Sequence, residues 1–162
     1  MPVKTKATKA LRSSASADPK FGSGLGVTTK GRYGLRLMVA LARHSPANAM
    51  TLGELSRLLD ISDKYLWHVA RLLVWADLIR AERGAHGGYR LGRTPEAITL
   101  LEIVEALEGP CLMVPADEVN NGAAGLAWRE VETALRQKLG SLTLRAILEL
   151  QDTQTSALNY MI

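Results

Sequence analysis

Residues 61–93, ISDKYLWHVARLLVWADLIRAERGAHGGYRLGR, change their hydrophobic period part of the way along. The first part has apolar residues at helical spacing, at Leu66, Val69, Ala70 and Leu73, and Ser62 stands where a helix N-cap is expected. The second part alternates apolar and polar residues on either side of a run of glycines, which is typical of two strands joined by a turn. The stretch therefore predicts a helix followed by a β-hairpin.

The predicted hairpin is narrow and basic. Its first strand alternates through Ile79, Ala81 and Arg83, its second contains Tyr89 and Leu91, and residues 84–88 form the turn. Cationic side chains surround that turn: Arg80, Arg83, His86, Arg90 and Arg93. Such a hairpin fits the DNA minor groove, whose negative potential attracts arginine. A nucleotide-phosphate loop is the weaker alternative, because the chain has neither a P-loop lysine pattern nor a helix N-terminus after the glycines.

Two further helices precede this stretch. An apolar stripe at helical spacing predicts the first over residues 29–44: Tyr33, Leu37, Met38 and Leu41. The second begins with a capping box at Thr51 and Glu54 and a hydrophobic staple between Met50 and Leu55. Its core-facing residues are Leu52, Leu55 and Leu59. Because only a tight turn at residues 60–61 separates it from the helix after Ser62, the pair predicts a helix-turn-helix.

The helix after Ser62 leaves its first turn and outer face to solvent. These positions hold Ser62, Asp63, Lys64, Tyr65, His68 and Arg71. Recognition helices contact base edges with their N-terminal residues, and serine, lysine, arginine and tyrosine also bind phosphates. We interpret this face as DNA-binding, with His68 facing solvent or phosphate and not a metal. Trp67 could pack on the neighbouring strand or stand outward against the DNA, and packing is favoured.

The C-terminal part is predicted to form a helix, a loop and a longer helix. The first of these starts with a capping box at Thr99 and Glu102 and a staple between Ile98 and Ile103, and it ends at residues 109–110. Its apolar face is Leu100, Ile103, Val104 and Leu107. Residues 111–125 lack periodicity and are predicted to be a loop. One stripe then follows at helical spacing: Trp128, Val131, Leu135, Leu139 and Leu142. The pattern leaves open whether that stripe packs on its own domain or on a second copy.

Length and composition limit the class of protein. The 162 residues amount to about one domain, and 47% hydrophobic with 22% charged residues argue against disorder and fibrous folds. No run of 18 apolar residues and no secretory signal is apparent, and the single cysteine cannot form an internal disulfide. The expected compartment is therefore the cytoplasm.

Charge is distributed unevenly along the chain. Residues 1–26 carry a net charge of +4, residues 27–93 a net +6 and residues 94–162 a net −6. This division favours a polyanion-binding part joined to a part with another role, although uneven surface decoration would give the same pattern. The segment 1–26 is predicted to be disordered, either as a basic arm with non-specific phosphate affinity or as an inert extension.

Five strings carry a family resemblance: TKGRYGLRLM (29–38), TLGEL (51–55), ISDKYL (61–66), ADLIRAERGAHGGYRLGR (76–93) and ITLLEIVEALEG (98–109). Together they resemble the Rrf2 family of bacterial winged-helix transcription regulators, the IscR-, NsrR- and CymR-like proteins, from about residue 28 onward. The wing motif RGxxGGYRL is the most specific of them. The resemblance implies a mainly α fold: a winged helix-turn-helix with a short β-hairpin wing over residues 27–95, and a linker helix, loop and long dimerisation helix over residues 96–162.

The resemblance also implies a homodimer on a palindromic operator, with the recognition helix in the major groove and the wing in the minor groove. The expected DNA-binding residues lie on the first helix, the recognition helix and the wing: Thr29, Lys30, Arg32, Tyr33, Ser62, Lys64, Tyr65, His68, Arg71, Arg83, Gly84, His86, Gly87, Gly88 and Arg90. The expected dimer interface is the C-terminal stripe, Trp128, Val131, Leu135, Leu139 and Leu142.

Cluster-binding members of the family use three cysteines of the loop, whereas this chain has only Cys111. Because an iron–sulfur cluster normally takes four thiolates, no cofactor is expected. A cluster could still bind in two ways: with carboxylate or histidine ligands, as in some members of the family, or at a site shared across the dimer. Cys111 is interpreted first as a buried structural thiol, and otherwise as a redox sensor or a cluster remnant.

The sequence therefore predicts a sequence-specific DNA-binding regulator, with repression as the expected mode. The alternatives are a winged-helix module that binds a metabolic enzyme and a redox or metal sensor that uses Cys111. An enzyme is disfavoured, because no catalytic set of nucleophile, base and orienting residue emerges.

Overall fold

The structure, a computed structural model, describes residues 26–44, 49–84, 87–110 and 122–159. Six helices and one hairpin follow in chain order: α1 Thr29–Arg43, α2 Leu52–Leu59, α3 Asp63–Trp75, β1 Ile79–Glu82, β2 Gly88–Leu91, a 3-10 helix Pro95–Ala97, α4 Leu100–Glu108, α5 Gly122–Ser141 and α6 Leu144–Asn159. This order confirms the predicted mainly α winged-helix class. The predicted basic tail, except for Gly26, lies outside the described residues, as do Cys111 and His86.

Helices α2, α3 and α4 begin where the capping signals predict, and α1 also begins at a capping hydroxyl. At each start a hydroxyl accepts a hydrogen bond from a backbone N–H three residues on: Thr28 from Gly31, Thr51 from Glu54, Ser62 from Tyr65 and Thr99 from Glu102. Both predicted capping boxes are complete, because Glu54 and Glu102 also accept from the N–H of their cap residue. Helix α1 ends at Arg43, one residue before its predicted end, with His44 as the C-cap.

The hairpin is antiparallel, with Ile79 opposite Leu91 and Glu82 opposite Gly88. The segment before α2 continues the sheet, since the N–H of Met50 donates to the carbonyl of Tyr89 at 2.9 Å and the N–H of Tyr89 donates to the carbonyl of Met50 at 2.7 Å. A Cβ at Gly88 would collide with the Met50 carbonyl, so the close approach of these two backbone segments requires glycine at this position. The wing is thereby attached at its base to the start of the helix-turn-helix.

A single buried cluster joins the predicted DNA-binding part to the C-terminal part. Leu37 of α1 and Leu66 of α3 belong to the same cluster as Ile98, Ile103 of α4 and Leu144 of α6, and all five are fully or almost fully buried. Helices α4 and α6 therefore pack directly on the winged-helix core. The predicted division of the chain into a DNA-binding part, residues 27–95, and a dimerisation part, residues 96–162, therefore stays a prediction about their roles. Within the described ranges, no helix is long and apolar enough to cross a bilayer.

Residues 122–159 form two helices where one was predicted, and the prediction of a single helical stripe ending at Leu142 is wrong. Helix α5 ends at Ser141, and Leu142 lies in the connection to α6. Backbone hydrogen bonds to residues far back in the sequence stabilise the break. The N–H of Leu100 donates to the Leu142 carbonyl and the N–H of Leu144 donates to the Ile98 carbonyl, both at 2.8 Å. The predicted loop 111–125 is also too long, since α5 already begins at Gly122.

Candidate nucleic-acid interface

Helix α3 has one buried and one exposed face. Leu66, Val69, Ala70 and Leu73 are fully buried in the core. The exposed positions are Ser62 at the N-cap, then Asp63, Lys64, Trp67, His68, Arg71 and Trp75. The structure thus leaves the predicted contact residues Ser62, Lys64, His68 and Arg71 open to solvent on one helix.

The first turn of α3 carries two of the predicted contacts in different environments. The Ser62 hydroxyl accepts a hydrogen bond from the Tyr65 N–H at 3.4 Å, so its own proton remains available to a phosphate oxygen. Tyr65 is half-buried, and its ring meets the Tyr33 ring edge-on, with centroids 5.4 Å apart. Burial, together with Tyr33 and Glu108, raises the pKa of Tyr65, so its hydroxyl stays protonated at neutral pH. Both tyrosines therefore fasten α3 to α1 while Tyr65 keeps a donor near the first turn.

Trp67 is not buried against the neighbouring strand, as the favoured prediction had it, because about half of its side chain is exposed. Its side chain is 51% exposed, and Trp75, for which no role was predicted, is 70% exposed. Between them lies Arg71, whose guanidinium carbon is 5.1 Å from the Trp67 ring centre and 4.8 Å from that of Trp75. The spacing of four residues on the polar face was the signal for this stack, because residues four apart are neighbours on a helix.

The wing presents some of its predicted cations freely and uses others in ion pairs. Arg83 and Gly84 are exposed at the described edge of the turn, and Gly84 has a φ of 117°, which favours glycine. Arg90 forms an ion pair with Glu82 across the hairpin. Arg93 binds Glu102 at 2.8 Å, at the start of α4 and away from the turn. The predicted contacts Gly87 and Gly88 are half-buried, and His86 lies outside the described residues.

The start of α1 is held by a carboxylate from α4. The Glu108 carboxylate accepts hydrogen bonds from the backbone N–H of Thr28 at 3.2 Å and from its hydroxyl at 2.6 Å. Gly31 is buried against the same carboxylate, where a Cβ would not fit. No role was predicted for Glu108, because a contact between residues 80 positions apart leaves no local signal in the sequence.

The predicted contacts on α1 lie in its first two turns. Thr29 and Arg32 are exposed, Lys30 is half-buried, and Arg32 donates to the Thr29 hydroxyl at 3.1 Å. The half-buried Tyr33 faces Tyr65 of α3. The α1 contacts therefore sit beside the first turn of α3, joined to it by the two tyrosines.

The predicted dimer stripe is only partly covered by its own chain. Trp128 and Val131 are each 45% exposed, whereas Leu135, Leu139 and Leu142 are half-buried. Leu126, which was not predicted to belong to it, is 62% exposed on the same helix. Large apolar side chains thus stand in solvent along the first half of α5.

The donor set of this chain does not fit an iron–sulfur cluster of the usual kind. Such a cluster takes four thiolates, and the sequence has one cysteine. Among the described residues, no group of three or more histidine, cysteine, aspartate or glutamate side chains could hold a metal ion. The cysteine itself and the acidic residues of its loop, Asp117 and Glu118, lie outside those residues.

Comparison with known proteins assigns the family. The model of the Rrf2 family, described as iron-dependent transcriptional regulators, matches residues 27–150. The HTH-type transcriptional regulator CymR of Bacillus subtilis is 34% identical over 136 residues, which are 84% of this chain and 99% of CymR. The solved structure of B. subtilis CymR, named as its global cysteine regulator, matches with a TM-score of 0.70 and 35% identity, over 78% of this chain and 98% of CymR. The IscR of T. potens matches with a TM-score of 0.65 and 32% identity, over 78% of this chain and 88% of that IscR. The chain therefore belongs to the Rrf2 family of transcriptional regulators.

Proposed function

We propose that the protein regulates transcription by binding a palindromic DNA operator as a homodimer, with α3 in the major groove and the hairpin wing in the minor groove. The observation that carries this proposal is the exposed face of α3. It begins with a capped first turn at Ser62 and presents Lys64, His68 and Arg71 to solvent on a helix whose other face is buried. That is the arrangement by which a recognition helix reads base edges.

Charge supports the same orientation. In the described part of the chain, neither Lys64 nor Arg71 forms an ion pair, and Arg83 is also exposed without one. Cations without carboxylate partners are available to phosphates, and releasing counterions from DNA makes such binding fall with salt. The positive half of the chain therefore faces DNA in this proposal, and the negative half faces away from it.

The exposed side chains of α5 support a dimer. Trp128 and Val131, which lie about 60° apart around the helix, are large apolar side chains that the described part of the chain leaves largely in solvent. A second copy of the same helix would cover them with a two-fold axis, and two recognition helices would then meet half-sites about 34 Å apart. A palindromic operator follows from that symmetry.

The mode of action is assigned by the same proposal. A dimer that covers an operator blocks access to the promoter, so we assign repression, in the cytoplasm where the bacterial chromosome lies. No catalytic step and no cluster is part of the assignment. Control by a signal would then act through a small effector or a partner protein.

The test is operator binding by charge-removal variants. An operator is first selected from a random duplex library and its affinity is measured by fluorescence anisotropy. Lys64→Ala together with Arg83→Ala should weaken binding at least about thirtyfold, because each removed contact is worth about 1–3 kcal/mol. Arg145→Ala, which removes an exposed arginine paired with Glu149 on α6, is the matched control and should bind as the wild type does.

Two results would contradict the proposal. Selection that yields no enriched sequence, or a double variant that binds as tightly as the control, would show that this face does not bind DNA. A partner protein that is retained by the double variant would then favour the protein-binding alternative.

A further inference from the structure

The aromatic stack on α3, formed by Trp67, Arg71 and Trp75, lies outside the buried core. Trp67 and Trp75 are 51% and 70% exposed and extend from the face opposite the buried residues of the helix. Two of the chain's three tryptophans thus stand in solvent on the helix that the proposed function puts in the major groove. Large aromatic side chains kept at a surface commonly mark a recognition site.

The stack holds Arg71 from both sides. Its guanidinium carbon lies 5.1 Å from the ring centre of Trp67, one turn before it, and 4.8 Å from that of Trp75, one turn after it. A guanidinium is planar, and stacking covers its faces while its N–H groups point outward in the plane. No carboxylate in the described ranges takes those N–H groups.

The position of Arg71 along α3 suits the edge of a groove. Arg71 follows Lys64 by two turns, about 10 Å along the axis, and the major groove is about 12 Å wide. If the first turn of α3 meets base edges, Arg71 therefore reaches the line of phosphates that borders the groove. Arginine binds phosphate oxygens through two parallel N–H groups, which requires a fixed orientation of the guanidinium.

We infer that Arg71 is a phosphate anchor of the operator complex and that Trp67 and Trp75 are positioning residues, which fix its guanidinium before DNA arrives. The inference rests on the proposed function and adds a role for both tryptophans. Binding then loses less side-chain freedom than it would with an unsupported arginine, which raises affinity. The contact sets the register of α3 on the duplex and carries no base preference of its own.

A double-mutant cycle on the selected operator tests the inference. Arg71→Ala should weaken binding and reduce the slope of log K against log salt by about one, because one phosphate contact is lost. Trp75→Ala should weaken binding about threefold to tenfold and leave that slope unchanged, since the cation is still present. In the Arg71→Ala background, Trp75→Ala should have less than about a twofold effect. Trp75→Tyr should restore most of the affinity, because tyrosine also offers an aromatic face.

Controls separate this inference from stability and from the proposed function. Leu150→Ala removes another large exposed apolar side chain, on α6, and should bind as the wild type does. Thermal melts should be unchanged for all the tryptophan variants. If Trp75→Ala weakens binding equally with and without Arg71, Trp75 touches DNA itself and the positioning role is overturned. An unchanged salt slope for Arg71→Ala overturns the phosphate anchor. Either result leaves operator binding intact, whereas a wild type that binds no duplex defeats the proposed function instead.

Discussion

At the scale of single residues, hydroxyl caps start α2, α3 and α4, and a carboxylate from α4 holds the start of α1. The caps at Thr51, Ser62 and Thr99 follow from side chains three residues apart, so the sequence was sufficient to place them. The contact of Glu108 with Thr28 joins residues far apart in the chain. The exposure of Trp67 was not predicted, because a tryptophan near a predicted strand is expected to pack on that strand. Arg71 was predicted only as a DNA contact and not as a residue that stacks on Trp67.

Replacing Glu108 tests the distant contact. Glu108→Gln removes the charge that receives two hydrogen bonds from Thr28, and we expect the free energy of unfolding to fall by about 1–2 kcal/mol. Urea denaturation measures it. Glu130→Gln, at an exposed position of α5, is the control and should change stability by less than about 0.5 kcal/mol. Equal stability of the two variants would mean that Glu108 does not hold the start of α1.

At the scale of elements, five of the six helices and the hairpin could be predicted because each has its own hydrophobic period, and α2, α3 and α4 also have a start signal. Helix α6 was not separated from α5, because the glycine nearest the break, Gly140, lies inside the last turn of α5 and residues 141–143 contain neither glycine nor proline. The break depends on hydrogen bonds from this segment to Ile98 and Leu100, which lie over 40 residues earlier. Thr143 caps α6, because its hydroxyl accepts a hydrogen bond from the Ala146 N–H at 3.1 Å. Its backbone also pairs with that of Thr99, and this contact has no local signal in the sequence.

The core role of α6 gives a prediction of its own. Leu144 is fully buried in the cluster that also contains residues of α1 and α3. Leu144→Ala should therefore lower the free energy of unfolding of the whole chain by about 2–5 kcal/mol, in one cooperative transition. Leu150→Ala, on the exposed side of α6, should have little effect in the same melts. A separate early transition confined to the C-terminal helices would contradict a shared core.

At the scale of the whole molecule, the distribution of charge agrees with the winged-helix organisation of the family. The net +6 of residues 27–93 and the net −6 of residues 94–162 describe parts that share one core but carry opposite charge. The winged-helix class was predictable because the wing motif is specific. The way in which two copies would meet was not predictable, because the surface that would cover Trp128 and Val131 belongs to the second copy.

Hydroxyl-radical footprinting of the selected operator tests the central claim most directly, because it locates the protein on both strands. The account predicts two protected half-sites related by a two-fold axis and centred about 34 Å apart, each flanked by protection where a wing enters the minor groove. With Arg83→Ala, the flanking protection should weaken while the central protection remains. A single asymmetric footprint, or protection spread evenly along any duplex, would contradict it.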